Sequence, residues 1–295
     1  MPFTEVGAPS LSIVLPAKNE ADGLSLVLPR LKSLYPLAEI IVVDDGSTDY
    51  TASVCAAQEV IRVPHPYSQG NGAAIKTGLR RATGEIVVCM DADGQHRPEE
   101  IELLLDKMAT GYDMVVGSRN KSGQASAHRG LANALYNRLA SWMVGHKVAD
   151  LTSGFRAMRR SRALEFISLL PNGFSYPTTT TMCFFRAGYP VAYVDIDVQS
   201  RLAGTTSHVR LWKDGMRFLL IIFKIGTLYS PLKIFLPIAA SLFATGTGYY
   251  LYTFLTMSRF TNMSALLFTS ALVIFLMGLI SEQITALMYQ DRSGH

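Results

Sequence analysis

The sequence has few cysteines, and they show no pattern. Its 295 residues include only three, Cys55, Cys89 and Cys183, with no C-x-x-C spacing and no neighbouring histidine cluster. This argues against a disulfide framework and against a zinc site. We therefore expect reduced, mostly buried side chains in a reducing compartment.

The chain also lacks a strong charge imbalance. It carries 27 lysines and arginines against 23 acidic residues, a formal net charge of +4. It contains no nucleic-acid-binding motif, internal repeat or low-complexity segment. The modest positive charge suits phosphate ligands and an anionic membrane surface better than nucleic acid.

Charged residues are missing from two long stretches near the C-terminus. Residues 234–258 and 260–281 contain none, in a chain that is 49% hydrophobic. Each stretch exceeds the roughly 20 residues that an α-helix needs to cross a bilayer. The alternative is a pair of buried core helices. The succession of two such stretches predicts two transmembrane helices within 232–290, at about 232–256 and 264–288, joined by a short connection.

The basic residues around these stretches predict their orientation. Lys213, Arg217, Lys224 and Lys233 precede the first stretch and Arg292 follows the second, whereas the connection holds only Arg259. The first ten residues contain no signal-peptide pattern. Because cytoplasmic flanks are enriched in lysine and arginine, we expect a multi-pass protein of the cytoplasmic membrane with a cytoplasmic N-terminal domain. Residues 208–231 then read as an amphipathic juxtamembrane segment, with an ordinary surface helix as the alternative.

Strand and helix patterns alternate through the first 120 residues. Apolar strand-sized runs occur at 11–15, 40–43, 61–63, 86–90 and 114–117, with helical patterns at 21–34, 72–82 and 98–108. In the first of these helices, Pro29 predicts a kink or break, and Ser47 or Thr48 is a candidate cap for a helix through Val54. Helices at 127–144 and 162–170 and a strand at 191–198 follow. The order predicts an α/β domain with a mainly parallel sheet covered by helices on both faces.

Two aspartates follow the strand at 86–90. Asp91 and Asp93 are two residues apart, so on an extended segment their side chains point to the same side. Such a sheet binds ligands outside the carboxyl ends of its strands. Because Mg²⁺ is often held by one or two carboxylates together with substrate phosphates, the pair favours a metal and a phosphate-bearing ligand. A solvated turn is the alternative.

Several blocks together resemble one family. They are PAKNE at 16–20, VDDGSTD at 43–49, GNGAAI at 70–75, DADGQH at 91–96, GSR at 117–119, DLTSGFR at 150–156 and RLAG at 201–204. Their order is similar to that of family 2 inverting glycosyltransferases of the GT-A fold, and more closely to the polyisoprenyl-phosphate glycosyltransferases. The resemblance covers nearly the whole chain. Two positions depart from the family pattern: Lys18 replaces a common tyrosine, and Ser207 or His208 stands where a lysine is frequent.

The resemblance implies a cytoplasmic catalytic domain over residues 1–207 and transfer of a sugar from a GDP- or UDP-linked donor to polyprenyl phosphate. The product would serve cell-envelope glycan or lipid modification. It also implies Mg²⁺ or Mn²⁺ as cofactor and membrane association, with a homo-oligomer as a further expectation. A processive polysaccharide synthase is an alternative that the absence of a Q-x-x-R-W motif disfavours. A catalytically inactive membrane-tethered scaffold is another.

The implied site residues form four groups. The metal ligands would be Asp91, Asp93 and Gln95. The nucleotide-sugar pocket would comprise Pro16, Asn19, Glu20, Asp44, Asp45, Asp91 and Ala92. The acceptor phosphate would meet Arg119, Arg129 and Ser207, and the catalytic set would be Asp93, Asp150 and Arg201. Since a lipid monophosphate has a second pKa near 6, it is already a nucleophile at neutral pH. Asp150 is therefore a base, a positioning residue or a purely structural aspartate.

Overall fold

The computed structural model describes residues 9–119, 127–173, 176–197, 227 and 230–290. The chain forms two compact units, Met1–His208 and Val209–His295. The first contains a β-sheet with helices packed against it, and the second contains a pair of long helices. The amphipathic segment predicted at 208–231 lies almost entirely outside the described residues.

One mixed sheet organises the first unit. Its strands are β1 (Leu11–Ala17), β2 (Glu39–Asp44), β3 (Ile61–Pro64), β4 (Ile86–Cys89), β5 (Met114–Arg119), β6 (Arg156–Arg159) and β7 (Val191–Ile196). They lie in the order β3-β2-β1-β4-β6-β5-β7. The pairs among β3, β2, β1 and β4 are parallel, as is β5 with β7, whereas β6 runs antiparallel to both of its neighbours. The expected mainly parallel sheet is confirmed, with one antiparallel strand inserted.

Helices connect and cover these strands. They are α1 (Ala21–Leu34), α2 (Thr51–Ala57), α3 (Asn71–Arg81), α4 (Ile101–Ala109), α5 (Ala127–Val144), α6 (Arg160–Glu165) and α7 (Tyr176–Arg186), with a 3-10 turn at Pro98–Glu100. The helix α2 begins at Thr51, so neither Ser47 nor Thr48 caps it. The helix α6 starts two residues before the predicted 162–170 segment and is shorter.

The central strands are buried on both faces, which explains their unbroken apolar runs. In α1 the residues Leu24, Leu28 and Leu31 form the apolar face that packs on the sheet. The helix runs without interruption through Pro29, so the expected break is wrong. Pro29 and Ser25, whose carbonyl loses its helical donor, both lie on the exposed face, where water can satisfy that carbonyl.

The second unit is a helical hairpin. Its helices are α8 (Pro231–Met257) and α9 (Asn262–Gln290). Both are long and apolar enough to cross a membrane, and only 11% and 17% of their apolar windows are buried. That exposure argues against the alternative of two core helices. The predicted pair of apolar helices with a short connection is confirmed.

Candidate active site

A cleft opens where the chain changes direction across the sheet. From β1 the chain continues to β2 on one side, while β4 lies on the other side of β1. Such switch points are where open α/β sheets bind ligands. The cleft has a cavity volume of about 430 Å³, within the usual range for small-molecule sites. It is lined by Pro16, Ala17, Lys18, Glu20, Asp45, Ser68, Gly70, Asn71, Ala74, Asp91, Ala92 and Asp93.

The turn after β4 brings two carboxylates to the cleft. Asp91 and Asp93 both line it. The turn closes at Gly94, whose φ of 74° lies in the left-handed region, and the backbone N–H of Gln95 donates to Asp93 Oδ1 at 3.1 Å. The side of the turn packs on α1 so closely that a Cβ on Gly23 would lie 2.2 Å from the Ala92 carbonyl oxygen. The turn is therefore braced by a neighbouring helix.

The DLTSGFR segment packs against Asp91. A Cβ on Gly154 would lie 3.1 and 3.2 Å from the two Asp91 carboxylate oxygens, so the absence of a side chain there leaves them room. His96 stacks on Phe155 with ring centroids 4.9 Å apart, and its Nε2 lies 3.7 Å from Asp91 Oδ2. The segment thus forms one wall beside the first aspartate.

Asp45 uses all its acceptor positions inside the protein. Its Oδ1 accepts from His65 Nδ1 at 2.7 Å and from the Gln69 N–H at 2.8 Å. Its Oδ2 accepts from Ser68 Oγ at 2.7 Å and the Gly70 N–H at 2.9 Å. Burial alone would raise the pKa of Asp45, but these hydrogen bonds lower it to about 2. The carboxylate therefore shapes the cleft wall at residues 65–70.

Asp44 is likewise engaged. Arg62 donates to its Oδ2 through Nε at 2.9 Å and Nη2 at 2.7 Å, and the Ser47 N–H donates to its Oδ1 at 2.9 Å. Burial favours a raised pKa, but the hydrogen bonds from Ser47 and Arg62 together with the Arg62 charge hold it below its usual range. Asp44 does not line the cleft, and its contacts make it a support for the turn after β2.

Asp150 and Arg119 form a two-pronged ion pair. Arg119 Nε lies 2.8 Å from Asp150 Oδ2, and Arg119 Nη2 lies 3.0 Å from Oδ1. Arg119 Nη2 also donates to Thr152 Oγ1 at 2.6 Å. Burial alone would raise the pKa of Asp150, but the hydrogen bonds and charge of Arg119 and the hydrogen bonds from Thr152 lower it. Asp150 therefore stays ionised and fixes the guanidinium of Arg119.

The negative charge of Asp91 also stabilises the charged form of Arg119. Burial tends to lower the pKa of Arg119, but the hydrogen bond and charge of Asp150 and the charge of Asp91 raise it. The predicted acceptor-phosphate residue and the predicted metal ligand thus lie within electrostatic range of each other. Arg119 therefore contributes positive charge to the surroundings of Asp91.

Arg156 is buried completely. Its Nη1 donates to the Pro177 carbonyl at 2.9 Å and to Thr181 Oγ1 at 3.2 Å, and its Nη2 donates to the Ser153 carbonyl. Its Nε has no partner within the described part of the chain. The guanidinium lies over the Tyr176 ring, 5.9 Å from its centroid. Neutral acceptors hold this charge and tie the DLTSGFR segment to α7.

Comparison with known proteins assigns the chain to a family. Residues 12–165, just over half of the chain, match the model described as glycosyl transferase family 2. The chain belongs to glycosyl transferase family 2. Residues 230–287 match the GtrB C-terminal hairpin.

Among curated relatives, polyprenol monophosphomannose synthase of Mycolicibacterium smegmatis is 33% identical over 66% of this chain and 79% of its own. Undecaprenyl-phosphate mannosyltransferase of Micrococcus luteus is 32% identical, covering 65% and 84%. Undecaprenyl-phosphate 4-deoxy-4-formamido-L-arabinose transferase of Pseudomonas fluorescens is 36% identical over 57% of this chain, but the match spans only 55% of that relative.

Solved structures share the fold of this glycosyltransferase. Glucosyl-3-phosphoglycerate synthase of Mycobacterium tuberculosis, in complex with Mg²⁺ and UDP, aligns with a TM-score of 0.59 and 25% identity. The alignment covers 74% of this chain and 78% of that one. The same enzyme with Mn²⁺, UDP and glucosyl-3-phosphoglycerate gives a TM-score of 0.59 at 24% identity, covering 74% of this chain and 79% of that chain. The GT-A-type architecture expected from the sequence is confirmed.

The residues of this glycosyltransferase that suit a divalent metal are hard oxygen donors. Asp91 is 38% exposed at its side chain, and both it and Asp93 face an open cleft. The described residues contain no cluster of three or more His, Cys, Asp or Glu side chains that could enclose a metal. Two carboxylates completed by substrate phosphates suit Mg²⁺ and Mn²⁺, which need no all-protein cage. Gln95 follows Asp93 but does not line the cleft.

The other predicted site residues fall in different places. Pro16 and Glu20 line the cleft, while Asn19 braces the turn after β1 by accepting the Thr48 N–H at 2.8 Å. Arg129 lies in α5. Arg201 and Ser207 lie outside the described residues.

Sequence reasoning missed several residues around the cleft. His65 and Ser68 received no role, although both hold Asp45, and Asn71, which lines the cavity, was noted only as part of the GNGAAI block. Arg156 was seen only as part of a motif. A signal for the first group existed, because residues 65–71 directly follow β3 and so belong to the carboxyl ends of the strands.

Proposed function

We propose that this glycosyltransferase moves a sugar from a nucleotide-sugar to a polyprenyl phosphate, with inversion at the anomeric carbon. The observation that carries the proposal is the pair Asp91 and Asp93 in the switch-point cleft, with Arg119 within electrostatic range of Asp91. The names of the relatives support a polyprenyl-phosphate acceptor. The product would be a lipid-linked sugar donor for envelope glycan or lipid modification.

The nucleotide-sugar donor would bind in the cleft. The nucleotide-sugar diphosphate would lie beside Asp91 and Asp93, where Mg²⁺ or Mn²⁺ would stabilise its negative charge as a Lewis acid. Pro16, Glu20 and the wall built on Asp45 would receive the nucleoside. Residues 1–207 would form the catalytic domain, and the helical hairpin would anchor this domain to the cytoplasmic face of the membrane.

The transfer itself needs no protein base. An oxygen of the lipid phosphate dianion attacks the anomeric carbon as the bond from that carbon to the diphosphate oxygen breaks, and the electron pair leaves with the nucleoside diphosphate. Asp150 has a lowered pKa and is committed to Arg119. We therefore assign Asp150 to positioning Arg119, whose guanidinium would orient the acceptor phosphate.

The test is a turnover assay on the full-length chain in detergent. Undecaprenyl phosphate is incubated with GDP-mannose, UDP-glucose and other UDP-sugars, with Mg²⁺, Mn²⁺ or a chelator. We expect one sugar per lipid, only with metal, and inverted anomeric configuration by NMR. Asp93→Asn should lower the rate by about 100-fold or more, because the site loses one of the two carboxylates that would hold the charge-stabilising metal.

Asp106 supplies a matched control, since it is an exposed aspartate on α4 outside the cleft. Asp106→Asn should leave the rate unchanged. Mn²⁺ binding followed by electron paramagnetic resonance should weaken in Asp93→Asn and not in the control. An Asp93→Asn enzyme of full activity would contradict the site, several sugars per lipid would favour the processive synthase, and no turnover with any donor would favour the scaffold.

A further inference from the structure

Lys18 is held at the edge of the cleft by a rigid turn. It directly follows β1 and lines the cavity. The next residue, Asn19, has a φ of 55°, and its N–H donates to Ser47 Oγ at 2.9 Å. The N–H of Glu20 donates to Thr51 Oγ1 at 3.2 Å. The backbone that carries Lys18 is thus tied to the turn after β2.

The parallel pairing of β1 with β4 brings Lys18 and the aspartate turn to the same edge of the sheet. Val14 pairs with Cys89 and its carbonyl accepts the Met90 N–H at 3.1 Å, so the segments that follow β1 and β4 leave the sheet side by side, and Lys18 and Asp93 both line the cleft there. The close approach of Gly23 to the Ala92 carbonyl shows that α1, which begins just after Lys18, packs directly on that turn. Lys18 and the candidate metal ligands Asp91 and Asp93 therefore share one cleft.

The charges of the cleft give this lysine a distinct role. The acidic residues lining the cavity are Glu20, Asp45, Asp91 and Asp93. Within the described part of the chain, Lys18 is the only basic residue that lines it. A nucleotide-sugar diphosphate is already anionic, and it gains a further negative charge when the sugar leaves. An acidic cleft holds such a group only with added positive charge, from a metal and from Lys18.

We propose that Lys18 binds the diphosphate of the donor and offsets the charge that the leaving nucleotide acquires. This inference rests on the proposed function and names a contact for the same cleft. Lysine suits the task because its ammonium is a compact charge with three donors on a flexible stem. The tyrosine common at this position in the family carries no such charge, so the contact is specific to chains with a basic residue here.

Equilibrium binding separates this contact from a contact to the nucleobase. The full chain in detergent with excess Mn²⁺ is titrated calorimetrically with UDP, UMP and uridine, and with GDP, GMP and guanosine. Lys18→Gln should weaken binding of the preferred diphosphate about 10- to 100-fold, the monophosphate less, and the nucleoside not at all. Lys18→Arg, which keeps the charge, should stay within about threefold of the unaltered chain.

Lys32 provides the control, since it lies in the last turn of α1 and donates to the Gln58 carbonyl outside the cleft. Lys32→Gln should bind every ligand as the unaltered chain does. Equal diphosphate affinity in Lys18→Gln and the unaltered chain overturns the inference, and so does an equal loss for diphosphate, monophosphate and nucleoside. If the unaltered chain binds neither UDP nor GDP, the proposed function itself falls.

Discussion

At the scale of single residues, buried charges in this protein are held by different kinds of partner. Asp45 is surrounded by N–H and O–H donors, and among its four described partners only the His65 side chain is titratable. Arg156 is surrounded by carbonyl and hydroxyl acceptors. A buried ion is tolerable when hydrogen bonds replace its lost hydration, and the geometry of those bonds then fixes the neighbouring chain. Here the fixed segments are the cleft wall at residues 65–70 and the DLTSGFR segment that packs against Asp91.

Arg156 and Arg159 make a matched pair for testing this, because both lie on β6. Arg156→Lys should lower the free energy of unfolding by about 3 kcal/mol, since a lysine cannot reach all three acceptors and leaves buried carbonyls unpaired. Arg159 is 38% exposed and pairs with Glu85 and Asp113. Arg159→Lys should therefore cost less than about 1 kcal/mol.

Chemical unfolding of the full chain in detergent, followed by tryptophan fluorescence and circular dichroism, measures both variants. Equal and small losses for Arg156→Lys and Arg159→Lys would show that the buried guanidinium contributes little. We also expect Arg156→Lys to weaken Mn²⁺ binding, because Arg156 anchors the segment that packs against Asp91.

At the scale of elements, the sequence predicted the strands of the first half of the domain, β1 to β5, far better than the elements of the second half. There it missed the strand β6 and the helix α7. The strands β1, β2 and β4 are short apolar runs. Such runs are typical of strands that are buried on both faces of a sheet, as these are. The helix α7 was missed because it contains Thr178–Thr181, and threonine is a poor helix former. Two of its hydroxyls bond within the helix, as Thr180 Oγ1 donates to the Tyr176 carbonyl at 2.8 Å and Thr181 Oγ1 to the Pro177 carbonyl at 3.0 Å. Tertiary burial then overrides the weak propensity.

The hairpin has a regularity of its own. Apart from Pro231 at the start of α8, its buried positions recur every seven residues, at Ala239, Gly246 and Thr253 on α8 and at Ser264, Ala271, Gly278 and Thr285 on α9. A seven-residue repeat keeps one face of a helix toward its partner, and small side chains let two membrane helices approach closely. We call these seven positions the small-residue seam.

Gly246 and Gly248 test the seam within one helix. A Cβ at Gly246 would lie 3.1 Å from Leu267 Cβ, whereas a Cβ at Gly248 meets nothing within 4 Å. Gly246→Leu should destabilise the hairpin by about 1–3 kcal/mol through overpacking, and Gly248→Leu should not. The measurement is the thermal midpoint of the detergent-solubilised chain. Equal midpoints for the two variants would mean that the seam does not hold the helices together.

At the scale of the whole molecule, the sequence predicted where a ligand site lies but not which segments surround it. The carboxyl ends of β1, β2 and β4 meet at one edge because those strands are parallel, which the alternation of strands and helices already implies. The wall beside Asp91 depends on β6 running antiparallel into the middle of the sheet. Nothing in a local pattern specifies that insertion, since it pairs Cys89 with Arg156 across a long stretch of chain.

The pH dependence of the reaction should follow the protonation of the acceptor phosphate, and not that of Asp150. Asp150 has a lowered pKa, so it stays ionised above the ordinary aspartate value of about 3.9 and gains a proton only below it. The acceptor phosphate loses its second proton near pH 6. If the dianion is the nucleophile, kcat/KM should fall below about pH 6, and the ion pair of Asp150 with Arg119 should persist through that fall.

Initial rates between pH 5 and 8, measured for the unaltered chain and for Asp150→Asn, separate positioning from base catalysis, because the two roles predict different profiles. A positioning Asp150 predicts that the variant is about 10- to 100-fold slower, as Arg119 loses its fixed orientation, but that it keeps the same acid limb near pH 6. A base with a lowered pKa predicts a limb below pH 4 in the unaltered chain, since its carboxylate is fully ionised throughout the measured range. A flat profile from pH 5 to 8 in the unaltered chain would therefore reject the dianion mechanism, whatever the rate of the variant.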